Sequence, residues 1–453
     1  MLTTEIAKYV ADLKYENVPE EAVEITKMIF CDFLGVVLAG KNEEVSLILK
    51  EYVLEQGGVQ ECSVPGYGFK TNPSLSALLC GTMGHALDYD DVAYSISGHS
   101  AVVLCPVIWA LGDKYNITGK QAIEAFLAGF EGAAFVGKFL RSEQRRGNIW
   151  HMTKALGVLA STLAAAKIMN LTPDQIRSAL GIAATLSGGL MANFGTMGKP
   201  FHAGSAAHDG ILAATLAQKS FLSHMDILES ERGFRRIFVP EGGLPEESIV
   251  ELIHNGEWDI VSGGGVGIKL YPSCGGTHKS IHAAIELAKQ EDINPEEVES
   301  VIIKTPAWVF SVAHHTEPKT GLQGKFSIEF TVAAALVDRQ VTMAHFTDEK
   351  IKELAPLMKK VRREPTASAS NTNVHDVAAT AVITMKDGRV FTHTTRHQKG
   401  HPKNPLTWDA LFEKYRSCVA RHVSGEDIAA SEDILFRLEE LDQFKSLVSI
   451  FSK

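Results

Sequence analysis

Thr380-Ala-Val-Ile-Thr-Met385-Lys-Asp-Gly388-Arg-Val-Phe-Thr-His-Thr394 sets two β-branched runs on either side of Lys386-Asp387-Gly388. An Asp-Gly pair between such runs predicts a β-hairpin. Upstream, Val298-Glu-Ser-Val-Ile-Ile-Lys-Thr305 is another β-branched segment, closed by Pro306. Helical spacing is predicted over residues 277–290 and 326–338. This part of the chain therefore reads as an α+β unit.

Before about residue 245 the pattern is different. Ile6, Val10 and Leu13 form one helical stripe, and Ile25, Met28, Ile29, Phe33, Val36 and Val37 form another. Asn116-Ile-Thr118-Gly-Lys-Gln121 and Asn170-Leu-Thr172-Pro-Asp-Gln175 are two copies of one helix start. Each has Thr as N-cap and Gln three residues on, and the second adds Pro at the first helical position. After Gly400-His-Pro-Lys-Asn-Pro-Leu, two helices rich in Leu and Glu are expected to rejoin the helical part. The fold class is mainly α. A large all-helical domain, 1–264 completed by 397–453, carries an inserted smaller α+β domain, 265–396.

The 453 residues are 45% hydrophobic and 22% charged, as in ordinary globular proteins with room for more than one core. A formal charge of −10 argues against nucleic acid as a partner. Arg145-Arg146, and Lys359-Lys360 with Arg362-Arg363, read as solvated basic faces. The six cysteines show no C-x-x-C spacing and suit a reducing cytoplasm. No secretory leader pattern opens the chain. The uncharged span 178–198 is broken by Ser187-Gly188-Gly189, Asn193 and Gly195, which argues against a membrane helix.

Chemistry concentrates in Gly81-Thr-Met-Gly-His85-Ala-Leu-Asp88-Tyr-Asp90-Asp91-Val-Ala-Tyr-Ser-Ile-Ser-Gly98-His99, three carboxylates and two histidines between apolar stretches. Such charge must be paired, metal-bound or used. The aspartates could equally cap neighbouring helices. A metal held by His85, Asp88, Asp91 and His99 is open on spacing alone. Three more loops place Lys or His against a helix start: Trp150-His151, Gly198-Lys199-Pro-Phe-His202-Ala-Gly204, and Lys269-Leu-Tyr271-Pro272-Ser-Cys274-Gly-Gly-Thr277-His278. Backbone N–H groups at helix starts favour anions. Two lysines from different domains suit a substrate with several carboxylates, and histidines suit proton transfer. Neither G-x-G-x-x-G nor a P-loop is present.

Together, these stretches resemble the MmgE/PrpD family over nearly the whole chain. The resemblance implies a lid role for the α+β unit, a homodimer, and a site between the domains. It also implies action on small di- or tricarboxylates without a metal or organic cofactor. Family activities include 2-methylcitrate dehydratase, cis-aconitate decarboxylase and iminodisuccinate epimerase. Dehydration is expected first, with epimerisation or decarboxylation as alternatives. By position, Asp88, His99, His151, Lys199 and Lys269 match pocket residues, with His99 transferring the proton and Asp88 orienting it or holding its imidazolium. Asp91, His202, Tyr271, Cys274 and His278 are the expected substrate-binding set. Val92 and Phe326 stand where decarboxylase-like members carry threonine and tyrosine, which counts against decarboxylation.

Overall fold

The computed structural model describes residues 1–141, 149–239, 243–262, 265–366 and 377–452. Arg145-Arg146, and Gly263-Gly264 at the expected domain border, lie outside these residues. The described residues are mainly helical, with one small mixed sheet and two short antiparallel pairs among them.

Local sequence starts the helices as its chemistry requires. Thr118 and Thr172 each accept from the backbone of the Gln three residues on, and each Gln side chain returns the bond. These capping boxes launch Gly119–Phe139 and Pro173–Leu186. Leu186 ends the second helix at Ser187-Gly188-Gly189, with Gly189 at φ +88°. Among the described residues, no helix is long and apolar enough to cross a membrane.

Two helices set the geometry of the site. Pro73–Ala86 and Gly198–Gln218 pack against each other with no side chain between them at one point. A Cβ on Gly81 would stand 2.9 Å from Gly204 Cα, and a Cβ on Gly204 would stand 2.0 Å from Leu78 O. Only glycine allows this approach. The contact brings His85, near the end of one helix, toward Lys199 and His202, at the start of the other.

The main core runs from Leu2 and Ile6 through Phe126, Leu163 and Ile211, and includes Leu411, Tyr415, Leu435 and Phe444 near the C-terminus. The end of the chain does return to the helical part. It does so with three helices rather than two, Trp408–Val419, Gly425–Phe436 and Phe444–Phe451. A short 3₁₀ turn, Leu438–Glu440, separates the last two, and no Gly or Pro marks that break.

A separate core gathers Ile281, Ile285, Val301, Ile303, Phe330, Leu336 and Ile383. Its sheet runs Val361–Thr366, Val298–Pro306, Ala379–Met385, Val390–Thr395. The first pair is parallel and the other two are antiparallel, the last being the expected hairpin. Within Val361–Thr366, Arg362 is exposed as the reading of a solvated face expects, whereas Arg363 is not. Arg363 is largely buried and forks onto Glu329, with Nε donating to Oε1 at 2.6 Å, and it also donates to Ala313 O. A basic edge strand pairing through its backbone carries no apolar signal.

The chain passes between the cores at adjacent points. Val266–Gly267 pairs antiparallel with Val92–Ala93, and Ile268 N donates to Gly400 O at 2.9 Å.

Candidate active site

After Ala86 the chain leaves its helix through Asp88, which takes a left-handed conformation at φ 51°. Asp is among the few non-glycine residues that tolerate it. Three aspartates then point to different partners, and all are buried. Buried carboxylates require such partners.

Asp88 serves the lysines. Its Oδ2 accepts from Lys199 Nζ at 2.8 Å, its Oδ1 pairs with Lys269, and its backbone oxygen accepts from Lys269 Nζ at 3.0 Å. Although burial opposes it, the two ammoniums hold the Asp88 carboxyl well below the usual range. Asp88 raises Lys269 in return, overcoming burial.

Asp90 serves the histidines. Its Oδ1 lies 2.9 Å from His85 Nδ1, and its Oδ2 lies 3.1 Å from His99 Nδ1. The second is a charge contact without hydrogen-bond alignment, because His99 Nδ1 points to Asp91 O at 2.6 Å. Both neighbours are acceptors, so the His99 proton sits on Nδ1 and Nε2 is left for chemistry. The expectation that Asp88 orients His99 is therefore corrected. Asp91 holds the ring through its carbonyl and Asp90 supplies the countercharge.

Asp91 serves a helix. Its carboxylate accepts from Ser100 N and Ala101 N, both at 2.9 Å, and from Ser100 Oγ at 2.5 Å, at the start of Ala101–Tyr115. With both oxygens occupied it does not line the cavity, which corrects its expected place among the substrate-binding residues.

Burial disfavours the charged form of His85, His151, His202 and His278. His85 Nδ1 donates to Asp90, and His85 Nε2 accepts from Lys199 Nζ at 2.8 Å. Burial pushes the His85 ring down to about 3. His151, at the N-cap of Met152–Ala155, has Nδ1 3.0 Å from His202 Nδ1, while its buried Nε2 has no partner. Burial, reinforced by the Lys199 charge, holds His151 well below the ordinary value, and burial brings His202 to about 4. The rings of His99 and His151 lie 6.1 Å apart, centroid to centroid.

These groups face a cavity of about 350 Å³ bounded by residues of both cores. Asp88, His99, His151, Lys199, Lys269, Cys274 and His278 are on its wall. His202 and Tyr271 are not. His202 backs His151, and the Tyr271 ring meets His278 edge-on at 5.2 Å and packs on the second core. His278 Nε2 lies 3.2 Å from Ser273 O, and burial takes that ring to about 3. Burial raises the Cys274 thiol, leaving it neutral.

Sequence reasoning missed Lys325. Its buried ammonium donates to Leu87 O at 2.8 Å and Pro272 O at 3.0 Å, tying the turn that bears Asp88 to the loop that bears Lys269 and Cys274. Burial lowers it to about 8. The available signal was its position just before Phe326, whose ring lies 5.3 Å from Lys199 Nζ.

Among the described residues, three overlapping donor sets have ligand atoms within 4.8 Å of one another: His85-His99-His151, His85-Asp88-Asp90 and Asp90-Asp91-His99. In each, at least one member is already committed. Lys199 donates to His85, the two lysines pair with Asp88, and Asp91 caps a helix. Ammonium groups supply positive charge where a metal would.

Residues 4–246 match the MmgE/PrpD N-terminal domain, and residues 271–439 match the MmgE/PrpD C-terminal domain. The chain belongs to the MmgE/PrpD family. Among curated relatives, cis-aconitate decarboxylase of Aspergillus terreus is 26% identical over 474 residues, covering 100% of this chain and 96% of the relative. The human cis-aconitate decarboxylase is 25% identical over 462 residues, covering 99% and 94%. The cis-aconitate decarboxylase-like protein oryM of Aspergillus oryzae is 26% identical over 479 residues, covering 100% and 97%.

Proposed function

We propose that this protein is a lyase of a small polycarboxylate and that its reaction is the removal of water from a hydroxy acid. The observation that carries this reading is the pair His99 and His151 on one cavity wall, each with its far ring nitrogen anchored. Elimination of water needs a base at carbon and a donor at the departing oxygen, and the two rings are spaced to reach both.

In this mechanism Lys199 and Lys269 bind substrate carboxylate and spread the charge that develops beside it. His99 Nε2 takes the proton from the carbon next to that carboxylate, with Asp90 compensating the imidazolium. The C–H electron pair becomes the double bond as the C–O bond breaks. His151, kept neutral, hydrogen-bonds the leaving oxygen. The proton on His99 passes to that oxygen, water departs, and His99 is neutral again. All these steps use groups of the chain itself.

Residues 1–264 with 397–453 would act as the body and 265–396 as a lid, with Lys325 joining the two at the site. The separate cores and the adjacent crossings at Ile268 and Gly400 support that division. A homodimer, as the family resemblance implies, and a cytoplasmic place, as the unpaired cysteines suggest, complete the reading.

Decarboxylation is the second reading, favoured by the names of the relatives. It needs charge relief and one protonation, which the same residues could supply. Val92 on the wall and Phe326 beneath Lys199 lack hydroxyls.

Proton NMR in D₂O with 2-methylcitrate, citrate, cis-aconitate and iminodisuccinate separates these outcomes. A new vinyl signal from a hydroxy acid supports dehydration. Itaconate from cis-aconitate replaces it with decarboxylation, and deuterium at a stereocentre without loss of water or CO₂ replaces it with epimerisation.

A further inference from the structure

We propose that His202, which does not line the cavity, is a positioning residue that decides which ring nitrogen of His151 carries the hydrogen. It donates from its own Nδ1, so that His151 presents Nε2–H to the substrate. This role rests on the dehydration reading and deepens it, naming what makes His151 a donor at the leaving oxygen.

Two observations carry it. The first is the contact itself: His151 Nδ1 lies 3.0 Å from His202 Nδ1. A neutral imidazole has one N–H and one lone pair, so a hydrogen bond between two such rings holds a single hydrogen. If that hydrogen belongs to His202, His151 carries its own on Nε2. If it belongs to His151, Nε2 is a bare lone pair. Burial disfavours the charged form of both rings, which keeps the shared hydrogen single. Lys199, His85 and His99 add to that effect on His151, and Lys199 and Lys154 add to it on His202.

The second observation is what each ring meets. His151 is on the cavity wall, and its Nε2 is buried without a partner among the described residues. A lone pair there would oppose an anionic substrate and leave the departing oxygen without a donor. His202 is off the wall, so the lone pair that its Nε2 keeps meets no substrate. Backbone holds the two rings in register. His151 N donates to Gly189 O at 3.0 Å, and His202 stands early in Gly198–Gln218, whose path is fixed at Gly204. Lys154, three residues after His151, pairs with Asp209 on the helix of His202 and ties the same two segments again.

Long-range proton–nitrogen NMR of the full-length protein with ¹⁵N-labelled histidine reads the tautomer directly, with His151 assigned by the signal lost in His151→Gln. A pyrrole-like Nε2 and a pyridine-like Nδ1 are expected, and a pyrrole-like Nδ1 overturns the proposal. The pH dependence of kcat supplies a second readout. His202→Asn places an amide N–H where Nδ1 stands, and should keep the wild-type profile with most of kcat. His202→Asp places an acceptor there, so that His151 donates from Nδ1 and carries Nε2–H only as an imidazolium. A new alkaline limb is expected, with kcat falling by about 10²–10⁴ above it while KM moves little. Equal losses in the two variants with an unaltered profile would leave His202 a packing residue. If the wild-type protein dehydrates no hydroxy acid, the dehydration reading falls, and the NMR result still decides the tautomer.

Discussion

Asp88 Oδ2 accepts from Lys199 at 2.8 Å while Oδ1 pairs with Lys269, so one carboxylate holds both ammoniums at the cavity wall. Asp88→Asn would leave the Lys199 ammonium without a carboxylate and Lys269 with only Asp90, at 4.0 Å. Breaking such a pair costs about 3–5 kcal/mol. Urea denaturation should show a loss of that order together with collapse of activity. A variant as stable as the wild type would mean that the triad contributes nothing to the fold.

His99 and Asp90 should separate as acid–base group and countercharge. His99→Ala is expected to lower kcat by about 10²–10⁴ with a smaller effect on KM. Asp90→Asn should lower kcat by less and shift the acidic limb of the pH–rate profile. Turnover of His99→Ala within a few-fold of wild type would remove it from the mechanism.

Asp91 tests a cap against a substrate contact. Asp91→Asn keeps the carbonyl that holds His99 but presents an amide to the N–H groups of Ser100 and Ala101. The expected result is a stability loss of about 1–3 kcal/mol with KM close to the wild-type value. A large rise in KM at full stability would restore Asp91 to the substrate.

Acid should unfold the protein earlier than its carboxylates alone would dictate. Burial holds His85 and His278 at about 3 in the folded protein, against 6.5 for the free side chain. Their folded values are depressed, so the unfolded chain binds the protons. Stability is complete above about pH 6.5 and falls as pH drops toward 3. Asp88 and Asp90, also depressed, add to the loss only below about pH 4. His278→Gln can still donate to Ser273 O but cannot titrate. Urea midpoints across this range should flatten by up to about 1.4 kcal/mol per pH unit. An unchanged slope would show that His278 is solvated.

What the sequence revealed was mostly local. Thr118 with Gln121, Thr172 with Gln175, and the Asp387-Gly388 hairpin depend on neighbours a few residues away, and all form as expected. The strand Val361–Thr366 was hidden because its pairing is through the backbone and its arginines look solvated. Within the site, residue types were legible but their partners were not. Asp88, Asp90 and Asp91 lie within four positions, yet a left-handed turn and a two-residue ladder send them to lysines, histidines and a helix. No spacing rule encodes that division. The role of Lys325 could not be read for the same reason, since its partners are carbonyls from two distant loops and its place before Phe326 names neither.

Gly81 and Gly204 do not line the cavity, yet their touching backbones act as a gauge block for the whole centre. The separation of the two helices fixes where the end of one presents His85 and where the start of the other presents Lys199, and those groups meet at 2.8 Å. A single methyl at either glycine would widen the gauge and carry the ammonium away from its imidazole. Tolerances in this enzyme are therefore set partly by two hydrogen atoms that make no contact with substrate.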